Sequence, residues 1–370
     1  MTTDLKSAAP KIDKIAVSAY TIPTDFPESD GTIEWNKTTI VLVEVRSNHV
    51  SGLGYTYASS SAAKLIHEVL EETVQGHDAM DVSGAWMKMV QAVRNVGRPG
   101  IASTAISAVD ISLWDLKAKL LRLPLVKLLG AVREAIPIYG SGGFTSYSIE
   151  QLRNQLSGWA RAGIGMVKMK IGRAPDEDPG RVHSARGAIG PGVQLFVDAN
   201  GAYSRKQALW FARRFEADDV RWFEEPVSSD DLAGLRLIRD QGPAGMNIAA
   251  GEYGYDANYF RRMLESGAVD VLQADATRCL GITGFMQAAA LCVARSMPLS
   301  AHTAPTVHMH TCCSQPPAVH LEYFHDHVRI EKMLFDGAPE PRNGKLAPDL
   351  SRPGLGIDLR RRDAEKYEVR

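Results

Sequence analysis

Lys168 and Lys170 stand two residues apart in the run Val167-Lys168-Met169-Lys170-Ile171-Gly172. In a strand, positions i and i+2 project to one face. Two ammonium groups on a buried face call for something anionic beside them. Further along the chain Asp198, Asn200, Glu224, Glu225, Glu252, Asp275, His302 and Glu322 each fall at or just after the end of a short apolar run. Asp198, Glu224 and Glu252 close three consecutive runs. Three carboxylates brought together repel unless a hard cation neutralises them, and an all-oxygen donor set suits Mg²⁺. Zinc would call for His or Cys, and the nearest candidates, His308 and His310, lie beyond the seventh run. Their spacing does not put both on one helical face, so they read as structural. Asp275 is placed to hydrogen-bond His302, which would fix its tautomer and raise its basicity.

These residues are useful only if the runs that carry them share one frame. From Ile136 onward strand patterns alternate with amphipathic helical ones: Ile136–Tyr139, Met166–Ile171, Leu195–Asp198, Arg221–Glu224, Met246–Glu252, Val269–Gln273, Leu299–His302 and Val319–Glu322. Such alternation predicts a parallel α/β architecture, and eight strands are the number that closes a barrel. An open doubly wound sheet would want a glycine-rich phosphate turn after its first strand, and Gly140-Ser141-Gly142-Gly143 lacks the spacing. In a barrel the C-terminal strand ends form the active site, where the ionisable residues fall. Upstream, Ile15–Tyr20, Thr38–Val45 and Ser51–Tyr57 are β-rich. They flank a breaker-rich stretch, Pro23 to Gly31, that reads as a loop. Helical patterns then cover Ser61–Gln75, Trp86–Val93 and Ala102–Leu120. The expected division is an α+β capping domain over 1–132, a barrel over 133–325, and a segment over 326–370 that packs back on the cap.

The chain has 370 residues and a formal net charge of -1, so it carries no electrostatic footprint for nucleic acid or an anionic membrane. No apolar run reaches transmembrane length, and the polar N-terminus from Met1 to Lys14 lacks a signal-peptide core. Four cysteines, Cys279, Cys292, Cys312 and Cys313, have neither metal spacing nor the pattern of a secreted disulfide framework. A reduced, cytoplasmic protein is expected.

The set Lys168-x-Lys170, Asp198-Ala199-Asn200, Glu224-Glu225-Pro226, Gly251-Glu252, Asp275 and His302 resembles the mandelate racemase branch of the enolase superfamily. Upstream, Ser107-Ala108-Val109-Asp110-Ile111-Ser112-Leu113-Trp114-Asp115-Leu116-Lys117 looks like the signature helix of that family's lid domain, followed by Pro124-Leu125 and Leu128-Leu129-Gly130. The resemblance spans essentially the whole chain. It implies a modified TIM barrel, (β/α)7β, under an N-terminal α+β cap, with Mg²⁺ on Asp198, Glu224 and Glu252. It further implies Lys170 as one acid/base and the His302–Asp275 dyad as the other. Lys168 would hold the substrate carboxylate, and Glu322 would donate to that carboxylate's other oxygen while protonated. Lys170 would have to be neutral to act as a base. Where many relatives carry a lysine after the Asp275 position, this chain has Arg278, which cannot be deprotonated and is expected to serve electrostatics or packing.

Two acid/bases permit several fates for an enediolate: dehydration, racemisation or epimerisation, and cycloisomerisation. Thr21 to Trp35 carries Asp25, Glu28, Ser29, Asp30 and Glu34, which suits a polyhydroxylated substrate. Asp25, Glu28, Asp30 and Asn200 are therefore expected to bind it, and Arg94 and Arg98 are candidates for a distal carboxylate. The expected reaction is Mg²⁺-dependent dehydration of an aldonate or aldarate to a 2-keto-3-deoxy acid. A non-catalytic binding barrel is the remote alternative. The resemblance also makes a homodimer or octamer the expected assembly.

Overall fold

The structure is a computed structural model that describes residues 9–369, so the first part of the polar N-terminus lies outside the described residues. Near the N-terminus, β1 (Lys14–Ser29), β2 (Glu34–Ser47) and β3 (Val50–Tyr57) form an antiparallel sheet. Helical turns over 61–74 and the helices Val82–Ala92 and Ile101–Leu120 pack on it. The last of these lies directly on β3 because Gly52 and Gly54 have no side chain. A Cβ there would come within 2.2 Å of the carbonyl oxygens of Ser112 and Ala108. The close approach lets the helix bury nearly all its faces at once, against the sheet on one side and the barrel on the other.

The barrel strands are β4 (Ile136–Gly142), β5 (Met166–Lys170), β6 (Gln194–Asp198), β7 (Val220–Glu224), β8 (Asn247–Ala250), β9 (Val271–Ala274), β10 (Leu299–Ala301) and β11 (Ala318–Phe324). Every neighbouring pair is parallel, and β11 returns to pair with β4, closing the ring. A helix lies between each strand and the next, giving the (β/α)7β order that the sequence leads one to expect. Helix starts are set by local chemistry. Ser148 and Ser204 each form a reciprocal capping pair with a glutamine three residues on, and Asp231 and Asp256 accept from backbone N–H groups. Strand alternation divides the residues as the pleat requires. Val167 and Met169 face the surrounding helices, whereas Lys168 and Lys170 point inward. Tyr139, Phe196, Trp222, Ala249 and Val271 fill the interior as an apolar floor, with Phe196 and Trp222 stacked at 5.3 Å.

One expectation fails at the cap. The breaker-rich stretch is no loop: β1 continues through it to Ser29, paired with β2, with a register shift between Pro23 and Glu28. Proline is tolerated at a bulge in an edge strand, and the turn is confined to the residues between Ser29 and Glu34. Beyond the barrel, Lys345–Leu346 adds antiparallel to β4, Phe335–Asp336 pairs with Asp358–Leu359, and Val369 N donates to Ala19 O in the cap at 2.8 Å. All four cysteines are buried and free. No helix among the described residues is long and apolar enough to cross a membrane.

Candidate active site

The backbone turns sharply where the barrel strands end. Asn200, Glu225, Thr303 and Ala304 have φ of 45°, 38°, 52° and 39°, a region in which non-glycine residues are strained. Strain of this kind persists only where surrounding contacts over-determine it, and here they include Lys170 donating to Asn200 Oδ1 and Thr303 N donating to Glu322 Oε2.

Lys168 is fully buried. Its Nζ lies 2.6 Å from Glu224 Oε1, 2.8 Å from Glu322 Oε1 and 3.4 Å from Asp198 Oδ2. Burial opposes its charge, but Glu224 and Glu322 outweigh burial and hold its pKa well above the ordinary lysine value. Lys170 donates to Asp198 Oδ2 at 2.5 Å and to Asn200 Oδ1 at 3.1 Å. Against burial, Asp198 raises its pKa too. Here the attraction of Asp198 exceeds the repulsion from Lys168.

Burial would raise the pKa of Glu322, but Lys168, then His302 and Lys170, hold it below the usual carboxylate range. It accepts from Ser141 Oγ at 2.5 Å and Thr303 N at 3.2 Å.

Asp275 Oδ2 lies 2.9 Å from His302 Nδ1, and its Oδ1 accepts from the backbone and hydroxyl of Thr277 at 2.7 Å each. Burial notwithstanding, His302 is the foremost of the groups that lower the Asp275 pKa. An ionised Asp275 accepts the Nδ1 proton of His302. The Nε2 atom is left facing Glu252 Oε2 at 3.5 Å and Glu322 Oε2 at 3.7 Å. Arg278 approaches Glu252 Oε1 at 3.3 Å and lies over the Tyr253 ring. His308 and His310 bond only to backbone: Nδ1 of His308 to Thr303 O and its Nε2 to Ala276 N, and the two ring nitrogens of His310 to Val126 N and Leu355 O. Both are structural in this arrangement.

Asp198, Glu224 and Glu252 each present a carboxylate oxygen within 4.8 Å of the others, all buried. Asp198 Oδ1 is oriented by Asn200 N at 2.9 Å and Glu224 Oε2 by Trp222 Nε1, from the apolar floor, at 2.9 Å. Glu252 Oε2 is buried with no hydrogen-bond donor, as is Glu225 Oε1. Glu224 and Glu225 are pushed well above the carboxylate range by burial first, then by Asp198 and Glu252 respectively. Orphaned oxygens and carboxylates forced toward protonation mark an excess of negative charge. An oxygen-only triad fits a hard divalent cation such as Mg²⁺.

A cavity of about 380 Å³ opens above this cluster, and Lys170, Asn200, Glu252, Arg278, His302 and Glu322 reach it from the barrel. The cap contributes Asp30, Trp35, Lys37, Thr38, Tyr57 and Ser59. Of the ribbon carboxylates expected on substrate, Asp30 lines the cavity, whereas Asp25 and Glu28 do not. Glu28 is buried beside Trp35, whose Nε1 donates to it at 2.8 Å, and burial lifts its pKa to about 9. Arg94 and Arg98 are exposed and away from the cavity. Trp35, Tyr57, Tyr253, Phe324 and His327 also line it. The sequence singles out none of them, because single aromatic residues in strands or loops read as core.

Residues 17–130 match the mandelate racemase/muconate lactonizing enzyme N-terminal domain, and residues 151–364 match the enolase C-terminal domain-like family. The chain is 52% identical to a mandelate racemase/muconate lactonizing enzyme-like protein from Rubrobacter xylanophilus, superposing with a TM-score of 0.96 over 97% of this chain and 100% of that one. It is 31% identical to the 3,6-anhydro-alpha-L-galactonate cycloisomerase of Streptomyces coelicolor, over 94% of this chain and 97% of that protein. It is also 31% identical to the L-talarate/galactarate dehydratase of Salmonella typhimurium, over 94% of this chain and 89% of that protein. The structure of the latter with Mg and L-lyxarohydroxamate superposes with a TM-score of 0.89 over 98% and 94% of the two chains.

Proposed function

The chain belongs to the mandelate racemase/muconate lactonizing enzyme family of the enolase superfamily, and on that footing we propose that it is an acid-sugar dehydratase. It removes the proton α to the carboxylate of an aldonate or aldarate and expels the β-hydroxyl as water, leaving a 2-keto-3-deoxy acid. The observation that carries this reading is the arrival of Lys170 and His302 at one cavity from β5 and from the end of β10, three strands apart round the ring. Asp198, Glu224 and Glu252 lie on the other arc between them.

A proton α to a carboxylate is far too weakly acidic for an unaided side-chain base. Mg²⁺ held by Asp198, Glu224 and Glu252 would supply the positive charge that stabilises the enediolate. Lys168, fixed and charged beneath the cavity by Glu224 and Glu322, adds a permanent positive potential from the same side. Of Lys170 and His302, one takes the α-proton and the other delivers a proton to the departing hydroxyl. Asp275 confines the exchangeable position of His302 to Nε2. Glu322 orders Lys168 and the strained Thr303 turn. The polar groups of Asp30, Lys37, Thr38, Ser59 and Asn200 on the cavity wall suit a chain of hydroxyls.

Similarity to a cycloisomerase at 31% identity supports a second reading, in which the same enediolate is reprotonated or cyclised. Incubating the Mg²⁺-loaded protein with a panel of aldonates and aldarates, and assaying 2-keto acids as semicarbazones, separates the two. A 2-keto-3-deoxy product is expected. A product that keeps its β-hydroxyl shifts the assignment to an isomerase, and inertness toward the whole panel overturns both.

A further inference from the structure

Asp25 and Glu28, left outside the cavity, converge on a different partner. His325 Nε2 lies 2.9 Å from Asp25 Oδ2 and 3.2 Å from Asp25 Oδ1. A carboxylate oxygen of Asp25, one of Glu28 and a ring nitrogen of His325 all lie within 4.8 Å of one another. Glu28 is fully buried. Its Oε2 accepts from Trp35 Nε1, but its Oε1 is buried with no donor at all. A buried carboxylate oxygen beside a second carboxylate is costly unless it takes up a proton, as burial favours for Glu28, or a cation meets it. The nearby guanidinium of Arg329 is already taken, by Asp326 Oδ1 at 2.5 Å and by Pro23 O at 2.6 Å.

We propose that Asp25, Glu28 and His325 form a second metal site, separate from the acidic triad, that takes a divalent transition-metal ion of the zinc class. One imidazole nitrogen and two carboxylate oxygens, with a position left for water, are the donors such an ion uses. The imidazole discriminates against Mg²⁺, which prefers oxygen throughout. Asp25 and Glu28 come from β1, where the register shift between Pro23 and Glu28 interrupts regular pairing. His325 opens the helix His325–Leu334 directly after β11. The ion would therefore staple the cap ribbon to the barrel side of the cavity. Thr38 of the same ribbon already donates to Asp326 on that helix, and the ribbon carries Asp30, Trp35, Lys37 and Thr38 into the cavity wall.

The test is a Zn²⁺ titration of the full chain, stripped with chelator and then kept in excess Mg²⁺ so that the triad is occupied, followed by calorimetry. Co²⁺ in place of Zn²⁺ gives a visible d–d spectrum as a second readout. One equivalent of Zn²⁺ beyond the Mg²⁺ is expected. His325→Ala and Glu28→Gln should each weaken it by roughly 100-fold or more without lowering Mg²⁺ affinity, and Asp198→Asn should leave it in place. His325 is half-buried and Gln is isosteric with a protonated Glu28, so both variants should fold, as a circular-dichroism melt verifies. Absence of a Zn²⁺ equivalent in excess Mg²⁺ overturns the proposal. So does an equivalent that survives both variants or disappears with Asp198→Asn.

Discussion

Two lysines on one face of β5 have different tasks because different acids surround them. Lys168 is enclosed by Glu224 and Glu322 and lines no part of the cavity, while Lys170 reaches it beside Asn200. Lys170→Ala and His302→Ala are each expected to lower dehydration by about 10²–10⁴-fold, the range of a positioned acid or base. In one of the two, exchange of the α-proton should persist, and the residue remaining in that variant is the base. A variant with near-normal turnover would remove its residue from the chemistry. Glu252→Gln removes the charge of a carboxylate whose Oε2 accepts no hydrogen bond. It should weaken Mg²⁺ binding by roughly tenfold or more, one lost charge–charge contact being worth over 1.4 kcal/mol. Unchanged affinity by calorimetry would take Glu252 out of the ligand set.

At the scale of elements, the ribbon formed by β1 and β2 decides how the cavity is roofed. At its tip Gly31 sits so close to the barrel that a Cβ would meet Ala199 O at 2.4 Å and Ile171 O at 2.8 Å. Those two residues follow the ends of β6 and β5. Gly31→Ala must lift the ribbon, so kcat/KM is expected to fall mainly through KM while Mg²⁺ affinity holds. Equal KM in both proteins would show that the ribbon's seating does not matter. The ribbon is also where the sequence was least legible. Pro23, Pro27 and five polar residues carry every mark of a loop, and only the partner strand β2 makes them a ribbon. That pairing is a long-range fact. The barrel strands, in contrast, were legible to within a few residues, because each is a short apolar run bounded by turn residues and followed by a helical period. The inward lysines and terminal carboxylates could be placed on their strands for the same reason. Their pKa shifts could not: those of Glu322 and Lys170 come from neighbours on other strands, at distances no spacing rule encodes.

Across the whole molecule, cap and barrel meet through buried polar contacts as well as apolar ones. Asp110, on the cap helix Ile101–Leu120, accepts from Thr283 Oγ1 at 2.7 Å and Thr283 N at 3.0 Å on the barrel helix Gly281–Ala294. Burial lifts its pKa from 3.8 to about 7. Between those values the folded state holds a proton that the unfolded chain has released, so this group's contribution to stability declines as pH rises from about 4 to about 7. Asp110→Asn removes the dependence. The melting temperature of the wild type relative to the variant should drop between about pH 5 and pH 8, corresponding to at most about 3 kcal/mol. A difference that stays flat over this range would mean that Asp110 is ionised throughout it.

In the proposed reaction this cavity makes a carbanion equivalent at the carbon next to a carboxylate. Proton NMR of an acid sugar in D₂O, with the Mg²⁺-loaded enzyme, follows that carbon directly. Loss of the C2 proton signal is predicted, with deuterium in recovered substrate or product. The exchange should vanish in the Lys170→Ala/His302→Ala double variant and on removal of the metal. An intact C2 proton in every acid sugar turned over by the enzyme, or exchange that survives the double variant, would contradict it.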